Sequence, residues 1–290
     1  MKLGYYPGCS LEGTSKEYND SLLAIAEKCG IELVEIKDWN CCGSSAAHNL
    51  NHELAIALPA RPLALAEEQG FTEIVVPCAA CYSRLAMSQF EINNNANFKT
   101  QIEGYLEKKL SSTLTILSAI DFLQKYIYPV ADKYIINKLD QKFACYYGCL
   151  LTRPKEISTI ERYEDPLLME EAILKIGGKP VEWSFKTECC GAGFTISKTD
   201  FVAKLSGKIL ENAVANGADS IVVACPMCHS NLDMRRPDIK KQINKDIQIP
   251  VLFITQALGL SMGISAEKLG MNKHFVSTES VKNCIVKKEA

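Results

Sequence analysis

Ile74-Val75-Val76 and Ile221-Val222-Val223 are β-branched runs with no polar residue alternating between them. That pattern belongs to a strand buried on both faces of a parallel sheet. Upstream of each run, apolar residues recur at helical spacing: Leu22, Leu23, Ile25 and Ala26 in one case, Met169, Ala172, Ile173 and Ile176 in the other. Glycines close both helices, Gly30 and Gly177, as left-handed residues commonly do. Short strands are expected before these helices, over 2–6 and 142–146, and after them, over 32–36 and 180–183. A further helix follows in each case, over about 54–69 and 201–216, closed by Gly70 and Gly217. Strand–helix alternation of this kind predicts an α/β protein with mainly parallel sheets.

The two halves repeat each other. Thr72 to Cys81 matches Asp219 to Cys228, Asn40-Cys41-Cys42-Gly43 matches Glu188-Cys189-Cys190-Gly191, and Tyr6-Pro7-Gly8-Cys9 matches Tyr146-Tyr147-Gly148-Cys149. The anchors keep their order with nearly equal gaps, so the chain reads as two homologous units related by internal duplication, residues 1–140 and 141–290. The tail of each unit also recurs, Thr113 to Ile120 resembling Pro250 to Ala257. The polar, Asn-rich stretch 91–110 has no counterpart of equal length and is expected to be a surface excursion with a short helix.

Charge narrows the function. Lys and Arg total 32 against 34 Asp and Glu, a net charge of −2, so no nucleic-acid surface is expected. The longest apolar stretch, 54–66, is interrupted by Pro59, Arg61 and Pro62 and is too short to span a bilayer. Residues 1–9 lack the layout of a secretory signal, so a reducing, cytoplasmic setting is expected, where thiols stay free or bind metal. The odd count of 13 cysteines argues against a closed disulfide set.

Ten of those cysteines fall in two sets: Cys9, Cys41, Cys42, Cys78 and Cys81, then Cys149, Cys189, Cys190, Cys225 and Cys228. All lie where strands are expected to end, the place where open α/β sheets bind ligands. A Cys-x-x-Cys turn brings two thiolates to one centre, with the amides of the following helix start facing the anionic sulfur. Zinc sites and redox dithiols share that motif. Adjacent cysteines in extended chain point apart, which suits different irons of one cluster better than one tetrahedral ion. Five thiols per set also exceed the four positions of a structural zinc and of a cubane cluster with four cysteine ligands. The set reads as the ligands of one polynuclear iron–sulfur cluster per unit.

The pattern Cys-x31-Cys-Cys-x35-Cys-x2-Cys, then Cys-x39-Cys-Cys-x34-Cys-x2-Cys, resembles the duplicated cysteine-rich (CCG) domain of the heterodisulfide reductase B subunit over essentially the whole chain. The likeness includes Tyr147-Gly148-Cys149, Cys225-Pro226-Met227-Cys228-His229, and the stretch from Ile249 through Leu258 to Gly263. The resemblance implies two non-cubane [4Fe-4S] clusters, each on the five cysteines of one unit, facing each other across the domain interface. It implies reduction of a disulfide held between them: the coenzyme M–coenzyme B heterodisulfide, or a related disulfide or persulfide on a sulfur-carrier protein. Electrons would come from a ferredoxin-like C subunit fed by a flavin-containing A subunit. Gly43 and Leu150 stand where methanogen enzymes usually carry Pro and His, a departure that touches the substrate pocket and not the ligands. Lactate, glycolate and glycerol-3-phosphate oxidising systems also use duplicated CCG proteins, often with a ferredoxin domain that this sequence lacks, so an electron-transfer role is the alternative.

Around the sets, His48 and His229 are candidates to hydrogen-bond a sulfur or to protonate a departing thiolate. Arg84 and Arg153 are candidates to hold an anionic substrate group, with Lys198 and Lys204 behind them. Gly43 and Gly191 are expected to turn the backbone tightly. Cys29 is expected to be packed, Cys145 to stand outside the ligand pattern despite lying four residues before Cys149, Cys284 to be exposed, and His52 and His274 to carry no role.

Overall fold

The computed structural model describes residues 1–111 and 113–288. Two four-stranded parallel sheets carry the chain. The first is built from β1 (Lys2–Tyr5), β2 (Glu32–Glu35), β3 (Glu73–Val76) and β4 (Thr115–Ser118), in the order β2-β1-β3-β4. After β5 (Asn137–Leu139), the second uses β6 (Lys142–Tyr146), β7 (Lys179–Pro180), β8 (Ser220–Val223) and β9 (Val251–Phe253), in the order β7-β6-β8-β9. The same topology appears twice, as the repeated sequence requires.

β3 and β8 occupy the interior of their sheets, and Ile74, Val75, Val76, Ile221, Val222 and Val223 are fully buried. A strand covered on both faces has no side that could be polar, which is why these runs do not alternate. The connecting helices pack on both sides. Lys16–Lys28 buries Leu22, Ile25 and Ala26, and Gly30 beyond it is left-handed at φ +74°.

The units are joined by a shared apolar core. The helix Ile254–Ser261 of the second unit packs on Lys16–Lys28 of the first. Tyr18 stacks on Phe253 with ring centroids 4.1 Å apart, and its hydroxyl donates to the Ala224 carbonyl at 3.2 Å. Ser21 and Thr255 share a hydrogen bond of 2.7 Å. A buried aromatic pair adds about 0.5–1.5 kcal/mol beyond its area, so this stack helps to fix one unit against the other. The C-terminal strand β10 (Ile285–Lys287) returns to pair antiparallel with β5, just ahead of β6.

Two expectations are corrected in part. The stretch 91–110 does lie at the surface and holds the expected short helix, Ala96–Leu106, but its first residues extend the helix Ala79–Asn94, and a single residue separates the two. Asn95 caps the short helix, accepting from the Phe98 amide at 3.0 Å, and Ile102 is buried. Asparagine here acts as a helix start. The strand expected over 180–183 is only two residues long, with one further ladder bond from the Val181 amide to the Phe143 carbonyl. Among the described residues, no helix is long and apolar enough to cross a membrane.

Candidate metal centre

Each cysteine set is assembled by strand ends. β1 runs into Gly8-Cys9, the chain after β2 carries Cys41-Cys42, and β3 delivers Cys78 and Cys81 at the start of the next helix. β6, the chain after β7, and β8 do the same for the second set. The two sets are folded alike down to single side chains. Tyr6 donates its hydroxyl to the Asn40 carbonyl at 2.8 Å, and Tyr146 donates to the Glu188 carbonyl at 2.6 Å. Each tyrosine thus ties the first cysteine's strand to the residue just before the Cys-Cys pair.

Two prolines help to position the first pair. The helix His52–Glu68 runs through Pro59 and Pro62. A proline lacks the N–H that would bond the carbonyl four residues back, so Pro62 leaves the Leu58 carbonyl without its usual partner. The Asn40 side chain takes that place at 2.9 Å, while also bonding the Cys41 carbonyl at 3.0 Å. The helix break becomes an anchor for the residue that precedes Cys41.

Glycine is required where the sets close. Gly8 and Gly148 are left-handed, at φ +67° and +69°. A Cβ on Gly8 would lie 3.0 Å from the Cys81 sulfur, and one on Gly148 would lie 2.9 Å from the Cys228 sulfur. Only a residue without a side chain lets these sulfurs pack against the loop. Gly43 and Gly191 are left-handed as expected, at φ +78° and +82°.

The thiols converge. Cys42 and Cys81 have their sulfurs 3.3 Å apart, and Cys190 and Cys228 lie 3.7 Å apart. Cys41 lies beside Cys42, Cys78 beside Cys81, Cys149 beside Cys189 and Cys225 beside Cys228, each pair close enough to shift its partner's ionisation. Cys9 completes the first set beside Cys41 and Tyr6. The sets also approach each other, Cys78 and Cys225 lying close enough to shift each other's ionisation. Cys42, Cys78, Cys81, Cys190, Cys225 and Cys228 are buried, whereas Cys9, Cys41 and Cys189 open to solvent.

Electrostatics follow from that crowding. Donation from Cys41 and then from Cys81 pulls Cys42 down to about 3. Donation from Cys149 pulls Cys189 down to about 6, helped by the Gly191 amide at 3.3 Å. Cys225 is lowered by Cys228 and then by Cys78. The neighbours that keep their protons are pushed up: Cys41 by Cys42, Cys149 by Cys189, and Cys81 and Cys228 chiefly by Cys42 and Cys190. Backbone amides after each Cys-Cys pair and at each helix start face sulfur, an arrangement that stabilises anionic ligands. Five converging thiols per set, with Cys42, Cys189 and Cys225 held toward thiolate, fit a polynuclear iron centre by donor chemistry and number.

The other candidates are spread differently. Half-buried Arg84 sits close enough to Cys42 to favour its thiolate. With His48, Met87, Glu91, Leu150 and Pro154 it lines a cavity of about 300 Å³ built from both units. Arg84 has no hydrogen-bond or ion-pair partner among the described residues, while Glu91 in the same wall is paired with His52 at 2.9 Å. His48 and Arg153 are exposed. His229 is buried, its Nε2 3.1 Å from the Val251 carbonyl and 3.3 Å from His274 Nδ1, and its Nδ1 3.9 Å from Glu17.

His274 carries more than the sequence credited to it. Gln256 is locked by accepting from the Phe253 amide and donating to the Leu269 carbonyl. Its remaining N–H therefore faces His274 Nε2 at 2.8 Å, which makes that nitrogen an acceptor and puts the ring proton on Nδ1. Asp233 beside it accepts from the Phe275 and Val276 amides at 2.8 and 3.1 Å. The group is held in place by Gln256 and by the backbone amides of Phe275 and Val276. Cys145 faces Glu170 and Lys186, with burial pushing its thiol up, and Cys29 is half-buried as expected. Cys284 is also half-buried and not exposed, its thiol donating to the Val281 carbonyl at 3.0 Å.

Fold and site together define a duplicated α/β protein carrying paired thiol centres of the iron–sulfur type. The chain belongs to the cysteine-rich CCG-domain family, whose domain is matched twice, over residues 3–86 and 143–233. It is 29% identical over 278 residues to a protein of Wolinella succinogenes described as an 8-methylmenaquinol:fumarate reductase membrane anchor subunit, with 95% of this chain and 97% of that one covered. It is 28% identical over 284 residues to the B subunit of a ferredoxin/F(420)H(2)-dependent CoB-CoM heterodisulfide reductase of Methanosarcina acetivorans, with 95% and 94% covered. A crystal structure of a hypothetical protein from Helicobacter pylori shares the fold, with a TM-score of 0.77 at 13% identity, over 96% of this chain and 52% of that chain.

Proposed function

We propose that Cys9, Cys41, Cys42, Cys78 and Cys81 hold one non-cubane [4Fe-4S] cluster, that Cys149, Cys189, Cys190, Cys225 and Cys228 hold another, and that the chain is the disulfide-reducing component of a heterodisulfide reductase-like complex. The approach of Cys78 to Cys225 carries this reading, because it sets the thiols of the two duplicated units side by side. Such centres exchange single electrons. Splitting a disulfide takes two electrons and two protons and yields two thiols, a stoichiometry that two adjacent centres match.

The chain's own residues supply the rest. Arg84 presents a free guanidinium inside a cavity beside Cys42, a place suited to the anionic end of a small thiol or disulfide. His48 lines the same cavity and is assigned the proton donor, since His229 is engaged with Val251 and His274. Leu150 adds an apolar wall from the second unit. The relatives named above are parts of larger reductases, and ferredoxin-like and flavin-bearing partners in the cytoplasm complete the scheme.

Replacing Cys81 or Cys228 by Ser tests it. Each variant is expected to lose the spectroscopic signal of one cluster and all two-electron disulfide cleavage; full turnover in both would end the two-cluster account. A second reading, electron transfer within a quinol-linked reductase, is favoured by the Wolinella relative. Electron exchange with a menaquinone analogue, combined with no disulfide cleavage by the iron-loaded protein, would select it.

A further inference from the structure

The second thiol set opens onto an apolar surface with a cationic rim, whereas the first unit exposes Leu50 and Leu54 at the matching place without that rim. Directly after Cys189-Cys190, Phe194 and Ile196 stand 45% and 96% exposed, and Phe201 on the next helix is 43% exposed. Phe194 and Phe201 meet edge to face at 5.6 Å, and the Lys198 ammonium lies 5.9 Å over the Phe194 ring. Along the helix Thr199–Ala215, Phe201, Lys204 and Lys208 follow at helical spacing and share an exposed face. Lys198, Lys204 and Lys208 have no ion pair among the described residues. The nearby acids are committed elsewhere, Glu211 to Lys245 at 2.5 Å and Asp238 to Arg235 at 3.4 Å, which leaves Asp200 as the acid on this turn.

This surface is wired to sulfur. Arg235 donates to the Thr195 carbonyl, the Thr195 hydroxyl bonds the Asn231 amide oxygen at 3.1 Å, and the Asn231 N–H reaches the Cys190 sulfur at 3.5 Å. Ile196 is thus the immediate neighbour of a residue two hydrogen bonds from a buried thiol. The duplicated chain supplies its own control. Counting back from Gly217 and Cys225 to Gly70 and Cys78, Leu54 stands in place of Phe201, but Asn51, Ala57 and Arg61 stand in place of the three lysines. Asn51 caps a helix, and Arg61 is paired with Asp38. The cationic rim belongs to the second unit alone.

We propose that Phe194, Ile196 and Phe201, rimmed by Lys198, Lys204 and Lys208, form the docking surface for an acidic iron–sulfur electron-donor protein, so that electrons enter through the second thiol set. The inference rests on the reading of that set as a cluster. Interfaces of this kind combine a small apolar centre with a charged rim that steers the encounter. A lipid surface fits less well, because helices that lie on membranes bury a long apolar face, and here three side chains cluster over one redox centre. In the step itself, one electron leaves the reduced donor cluster for the second centre, the oxidised donor departs, and no bond is made or broken. With the Arg84 cavity beside the first set, electrons would enter at one unit and substrate would bind at the other.

The test uses the iron-loaded full chain and a purified acidic bacterial two-[4Fe-4S] ferredoxin as probe. Wild type should bind it with an affinity that falls steeply with salt. The variant K198E/K204E/K208E should bind roughly tenfold or more weakly and be reduced more slowly by the ferredoxin, with iron content and reduction by dithionite unchanged. Equal binding by wild type and variant would overturn the proposal. So would lysine-dependent binding of wild type to phosphatidylglycerol vesicles with none to ferredoxin. Because binding is read without turnover, a chain that takes up no iron on anaerobic reconstitution yet still binds ferredoxin through these lysines would overturn the cluster reading and leave the docking surface standing.

Discussion

Cys78 and Cys225, the opening cysteines of the two Cys-x-x-Cys turns, come close enough across the duplicated units to shift each other's ionisation. This pair is where the two sets approach each other. In iron-free protein, mild oxidation by diamide is therefore expected to join Cys78 to Cys225. Peptide mapping should find that linked pair and lose it in Cys225→Ser. Linkage of either residue only within its own set would contradict the arrangement.

The glycines before Cys9 and Cys149 make a sharper prediction. Gly8→Ala and Gly148→Ala add both a left-handed side chain, costing about 1–2 kcal/mol, and a methyl within 3.0 and 2.9 Å of the Cys81 and Cys228 sulfurs. Each should cost the chain about half of its iron. Gly30→Ala is the control: its φ of +74° brings similar backbone strain, but nothing lies within 4 Å of the added methyl. It should lower the melting temperature and leave the iron content alone.

The loop that delivers Cys149 hangs on a buried ion pair. The Lys186 carbonyl accepts from the Tyr147 and Gly148 amides at 2.8 and 3.1 Å, and its ammonium lies 3.0 Å from Glu170, which accepts from the Tyr147 hydroxyl at 2.6 Å. Removing one partner of such a pair strands the other, at a cost of about 3–5 kcal/mol. Lys186→Met should therefore destabilise the second unit strongly in thermal melts. Burial pulls the Lys186 ammonium down, but Asp165 and Glu170 outweigh it and hold the group above the ordinary lysine value of 10.5. A raised lysine stabilises fully below its unfolded value, and that contribution fades as pH climbs through the folded one. Wild type should lose stability above about pH 10.5, and Lys186→Met should lack that alkaline step.

Arg84 and Arg153 separate cleanly. Arg84 lines the interface cavity without a protein partner, and Arg153 is exposed outside it. Arg84→Gln should raise the KM for an anionic disulfide by one to two orders of magnitude, the scale of a charge-assisted contact worth about 1.5–3 kcal/mol, with kcat changed little. Arg153→Gln should match wild type. Equal KM values for all three would remove Arg84 from substrate binding.

Much of this was legible in the sequence because the duplication prints each unit's strand ends twice. The unalternating Ile-Val-Val runs announced central strands, and the cysteines at their ends announced the site. What escaped depends on contacts between distant residues. The Gly8 and Gly148 positions matter only because Cys81 and Cys228 fold back onto them. Asn95 reads as loop composition until its side chain is seen capping a helix. His274 gains its place from Gln256, 18 residues earlier, whose orientation is set by two backbone groups. The Arg84 cavity needs Leu150 and Pro154 from the other unit, a meeting that no spacing within one unit encodes.

The most direct test of the central claim is metal and acid-labile sulfide analysis of the protein purified without air. Two five-thiol centres of the proposed kind predict about eight irons and about eight sulfides per chain, in a brown protein. A colourless protein with one stoichiometric zinc per set and no sulfide would contradict it.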